Sequence, residues 1–124
     1  MPTPLPSVAA SDLSRPGPAE VRILSSGVVS AVIPPEGLSF TQRALISAVF
    51  VAMTGHPADL DAPPITPAAF AAALRARTLE FRTRMVQIMV LAALVLRPLP
   101  QEVAEKVARF AAELVVEEGM LEVA

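Results

Sequence analysis

The sequence has no cysteine, no tryptophan and no tyrosine, and only one histidine and one lysine. Without cysteine there can be no disulfide framework, no thiol chemistry and no thiolate metal site. The lone His56 lacks a second imidazole to share a zinc ion, and no triad-like setting surrounds it beside Pro57. No Tyr or Trp is available as a stacking platform for bases. Long hydrophobic runs are lacking as well. The longest, Met85 to Leu96, is twelve residues with Gln87 as its one polar side chain. A membrane-spanning helix needs about 20 apolar residues, whereas runs of about 10–14 are more often core helices. The start, MPTPLPSVAASDL, has neither a basic head nor a continuous apolar stretch, so no secretory signal and no transmembrane segment are expected, and the cytoplasm is the expected location.

What the chain does have is apolar bulk. It is 124 residues long, 53% hydrophobic, with a mean hydropathy of +0.55. That suits one domain with a tail. The net charge of −2 is unevenly spread. Residues 36–97 carry six Arg against four acids, and residues 98–124 carry Lys106 and Arg109 against six Glu. Neither block is long enough to suggest a nucleic-acid tail.

Taken in order, residues 1–37 form a proline-rich arm, with seven of the thirteen prolines before residue 36. Proline fixes φ and removes a donor, which favours extended or disordered chain. VRIL (21–24) and VVSAVI (28–33) flank Ser25-Ser26-Gly27 and could make a small hairpin, but an isolated hairpin is marginal in water. A disordered or loosely docked arm is the preferred expectation.

Residues 38–124 are expected to form the helical bundle domain. Ser39-Phe40-Thr41-Gln42 fits a capping box. Phe40, Leu45, Ile46, Val49, Phe50 and Met53 follow at helical spacing, and Gly55 offers a stop. After the loop His56–Pro64, Thr66-Pro67 opens a second helix with a capping hydroxyl and proline at the first helical position. Thr78 caps a third helix running to Leu96, unless the two are one bent helix. Pro98 and Pro100 end it. A fourth starts near Pro100, with Val103, Val107, Phe110 and Leu114 as its seam and Glu102–Lys106 and Glu105–Arg109 as i,i+4 pairs. Met120-Leu121 looks like the start of a further helix. The fold expected is therefore all-α, a compact bundle of four to five helices with a Pro-rich arm. Met85–Leu96 is its central core helix, so that Met89→Ala or Leu94→Ala costs about 2–5 kcal/mol.

Three clusters invite a functional reading. His56, Asp59 and Asp61 combine imidazole and carboxylates that could hold Zn²⁺ or Mn²⁺. Turn-forming aspartates beside an exposed histidine explain the same residues, and that reading is preferred. Arg75, Arg77, Arg82 and Arg84 could form a phosphate-binding face. Glu80 sits among them and pairs well with Arg84, which favours a solvated face, with arginines contacting the glutamates of 102–122. Met53, Met85, Met89 and Met120 could line an adaptable groove but more often fill a core.

From residue 42 onward the order of features resembles the TerB-like tellurite-resistance family, compact helical bundles with two acidic motifs at helix ends. VFVAMTGHPADLD occupies the first motif's place and VLAALVLRPLPQEVAEKVARFAAEL the second. The resemblance implies a helical bundle associated with metal or small ligands in a stress response. The family's metal-binding acids are largely replaced, with Thr54 where the first Asp stands and Leu96-Arg97-Pro98 in place of the second Ala-Asp-Gly. Glu102 alone has a match, joining His56, Asp59 and Asp61 as candidate ligands. Residues 40–124 are also similar to the N-terminal helical part of longer actinobacterial proteins, and nine Arg to one Lys fits a GC-rich source. No catalytic residue and no cofactor is expected. The expectation is a non-enzymatic domain acting through self-association or docking on a protein partner, without nucleic acid.

Overall fold

Five helices make up residues 15–115, the part that the computed structural model describes. They are α1 (Pro18–Val32), α2 (Phe40–Thr54), α3 (Pro67–Ala73), α4 (Leu79–Leu94) and α5 (Gln101–Leu114). Among the described residues there is no strand, so the all-α bundle stands as the fold. No described helix is long and apolar enough to cross a membrane.

The N-terminal expectation needs correction. Residues 18–32 are neither hairpin nor arm but the helix α1, packed against α3, α4 and α5. Pro18 does not oppose this, because proline is suited to the first turn, where its missing N–H has no intrahelical partner. Ser25-Ser26-Gly27 was readable as a turn because these residues favour turns. In the structure they are the small residues of a close contact. The Phe70 ring lies against Gly27 so tightly that a β-carbon there would stand 2.3 Å from it. Phe70 in turn meets Phe110 edge-on, with centroids 5.9 Å apart. The arm's first fourteen residues lie outside the described part of the chain, as does the helix expected from Met120.

The other helix starts are as their sequences dictate. Ser39 Oγ accepts from Gln42 N and Gln42 Oε1 from Ser39 N, both at 3.0 Å, which completes the capping box. Thr66 and Thr78 cap α3 and α4 by accepting from Ala69 N and Phe81 N. Residues 74–78 separate these as two helices. Gly55, at φ 80°, closes α2 in the left-handed region that glycine enters without steric cost.

The core is built by α1 (Leu24, Val28, Val32), Ile46 and Phe50 of α2, Phe70 and Leu74, Met85, Ile88 and Met89 of α4, and the seam of α5. Phe40 falls outside it, 84% exposed at the first position of α2. The loop after α2 is held to α1 through two serines. Asp59 N donates to Ser25 Oγ (2.9 Å) and Ile65 N to Ser30 Oγ (3.0 Å).

Candidate functional site

Met85–Leu96 is only half a core element. Met85, Ile88, Met89, Ala92 and Ala93 face inward and are buried. Val90, Leu91 and Leu94 are 38%, 52% and 53% exposed. Leu94 therefore has little packing to lose, contrary to the expectation from its place in an apolar run. Beside these residues lies a shallow groove of about 610 Å³, lined by Leu79, Val86, Val90, Leu91 and Val115, with Thr83 and Gln87 as its polar members. Residues 79, 83, 86, 87, 90, 91 and 94 are one stripe on one helix, spaced like a seam that packs on a second helix. A helix apolar on both its inner and outer faces is ordinarily covered on both.

The four arginines do not lie on one continuous helix, since Arg75 and Arg77 fall in the segment 74–78 before α4. Arg77 lies outside the helix and grips Glu20 of α1 with both ends of its fork, Nε to Oε2 at 2.9 Å and Nη2 to Oε1 at 2.6 Å. It also stands 4.4 Å from the centroid of Phe81, in cation–π range. Arg82 donates to the Leu114 carbonyl at 2.9 Å, closing the C-terminal end of α5. Arg75 and Arg84 alone of the four are exposed. No ion pair to Glu102, Glu105 or Glu113 stands beside Arg77–Glu20 and Arg22–Asp59 among the described residues, and the contacts expected with Glu117, Glu118 and Glu122 lie outside the described residues.

The candidate metal ligands are not brought together as a set among the described residues. The His56 backbone N–H donates to Thr54 Oγ1. Asp59 Oδ1 accepts from Asp61 N in a local turn, and its Oδ2 is 3.6 Å from Arg22. Glu102 is exposed on α5. Among the described residues no three His, Asp or Glu side chains are placed to share a metal ion. The methionines divide as well: Met85 and Met89 are fully buried, and Met53 is half-buried against the core.

A second concavity sits between the end of α1, the loop 60–67 and α5. It measures about 490 Å³, and its walls include Val29, Ile33, Leu60, Ile65 and Phe110, with Lys106 and Arg109 also lining it. Lys106 Nζ donates to the Ile33 carbonyl at 2.7 Å in place of an i,i+4 pair with Glu102. Burial pushes the Lys106 ammonium below its usual range, and the nearby Glu102 partly offsets this. Glu105 accepts from Gln101 rather than pairing with Arg109.

One buried polar group with three side-chain hydrogen bonds was not marked as a site by its sequence. Gln42, fully buried, donates through Nε2 to Val32 O (3.0 Å) and Ala92 O (3.1 Å) while its Oε1 completes the capping box. Each carbonyl is among the last four of its helix, which have no intrahelical donor. The capping box predicted the local half of this role. The other half joins residues fifty apart in sequence, which no local pattern reveals.

Compared with known proteins, the chain matches no family model, no curated protein and no solved structure.

Proposed function

We propose that this chain is a non-enzymatic helical domain that works through protein–protein contact, by self-association across the outer face of α4. The observation that carries this is the exposed stripe Val90, Leu91 and Leu94 beside its groove. Stripe and groove lie on the same face of one helix. Two copies related by a two-fold axis could each seat the stripe in the other's groove, as an isologous interface requires. Gln87 and Thr83 are the polar residues of the groove, and both are uncharged, so little charge has to be desolvated there. The same reading places the domain in the cytoplasm, where a cysteine-free core needs no oxidising environment.

Sedimentation equilibrium over a concentration series tests the proposal. A mass rising toward that of the dimer at micromolar concentration is expected, with Leu91→Glu/Leu94→Glu held at the monomer mass. A wild-type mass that stays monomeric to about 1 mM, the range of the weakest specific binding, overturns it. Association that persists unchanged in the double variant overturns the assignment of the face.

A further inference from the structure

The cleft between α1, the 60–67 loop and α5 shares no lining residue with the α4 groove. Its volume, about 490 Å³, falls in the range of small-molecule sites, about 300–1,000 Å³. Val29 and Phe110 are buried, and Ile33, Leu60 and Ile65 are partly buried around it. No acidic residue lines it. Two cations do, Lys106 and Arg109, three residues apart and so on one side of α5. The ammonium of Lys106 uses one of its three protons on the Ile33 carbonyl. The guanidinium of Arg109 is exposed and has no ion-pair partner among the described residues.

A cleft of this make-up selects by two criteria. Its apolar walls favour a ligand body that water excludes. Its cations, with donors unspent and no carboxylate among the residues that line the cleft, favour an anionic head and reject a cationic one. We propose that this cleft is a binding site for a small amphiphilic carboxylate, its apolar body against Ile33, Leu60, Ile65 and Phe110 and its head between Lys106 and Arg109. The site is independent of the self-association proposed for α4. The loop that forms one wall is tied to α1 by the Ile65–Ser30 hydrogen bond, so the cleft is shaped before a ligand arrives. A preformed site saves the cost of ordering a loop on binding.

Decanoate, below the concentration at which it forms micelles, is the probe, with decanol and decyl phosphate beside it. Calorimetry on the full chain is expected to give saturable one-to-one binding of decanoate and much weaker binding of decanol. Arg109→Ala should weaken decanoate about tenfold, in line with the loss of a charge-assisted hydrogen bond, and leave decanol unchanged. Ala62 also lines the cleft, and Ala62→Trp, which fills it, should abolish decanoate binding. If that variant loses its helical circular dichroism, the exposed Arg109→Ala still decides. Amide shifts in NMR spectra should fall on Ser30, Ile65, Lys106 and Arg109. Absence of saturation, equal affinity for decanol, indifference to Arg109→Ala, or shifts confined to Val86–Leu91 would each overturn the site. Tighter binding of decyl phosphate than of decanoate would overturn the carboxylate as its ligand.

Discussion

Nine of the fifteen residues of α1 are buried, among them Ser25, Ser26 and Gly27. The run Met85–Leu96, which forms the second half of α4 and the two residues after it and is far more apolar, buries five of its twelve. The difference lies in what each helix meets. Helix α1 is surrounded by α3, α4, α5 and the 56–66 loop, so it needs small residues where a ring or a backbone comes close and hydroxyls where a loop amide must be satisfied. Among the described residues, helix α4 has its helical neighbours on one side, and its surplus of large aliphatic side chains turns outward. Apolar density records how much surface a helix can bury. Residue size records how closely it is approached.

The largest effect should come from α1, where small residues meet a ring. Gly27→Leu is expected to abolish the cooperative urea transition, because its side chain has to displace the Phe70 ring, whereas a loosely docked arm would tolerate it. Met89→Ala, on the inner face of α4, should cost about 2–5 kcal/mol in the same melts. Gln42→Ala leaves two helix-end carbonyls without a donor and should cost about 1–3 kcal/mol, the usual penalty for stranding a buried polar group. On the outer face of α4, Leu94→Ala should change stability by less than about 0.5 kcal/mol while weakening self-association in sedimentation. A cost there approaching that of Met89→Ala would erase the distinction between the two faces.

The smallest effect concerns Lys106. Its pKa in the folded state is lowered from the ordinary 10.5, chiefly by burial. In the window between the lowered value and 10.5 the unfolded chain holds a proton that the folded chain has released, so stability rises with pH there. With no tyrosine, no cysteine and no other lysine, Lys106 is the only side chain expected to titrate in that window. Urea melts at pH 8.5 and 10.5 should show a small gain at the higher pH that Lys106→Met removes.

Local chemistry made four of the five helices legible. Caps at Ser39, Thr66 and Thr78, the Gly55 stop and the seam of α5 each act within a few residues. Helix α1 was hidden because its start has only a glycine N-cap with no side-chain bond, and its centre uses residues that turns also use. The charged pairs misled for a related reason. Spacing of i,i+4 makes Glu102–Lys106 and Glu105–Arg109 available, but Lys106 finds a helix-end carbonyl on α1 and Glu105 finds Gln101. Glu20–Arg77 spans 57 residues and depends on the fold that places its partners together. The cleft was not visible beforehand, since its walls come from α1, the 60–67 loop and α5, which meet only in the bundle.

The helix ends are closed in relay. Lys106 of α5 closes α1 at Ile33, Arg82 of α4 closes α5 at Leu114, and Gln42 of α2 closes α4 at Ala92 as well as α1 at Val32. Fraying at one end therefore withdraws or strands a donor belonging to another helix. Amide hydrogens near these ends should exchange with solvent together, in the slow class set by global opening, rather than by the local opening usual for helix termini.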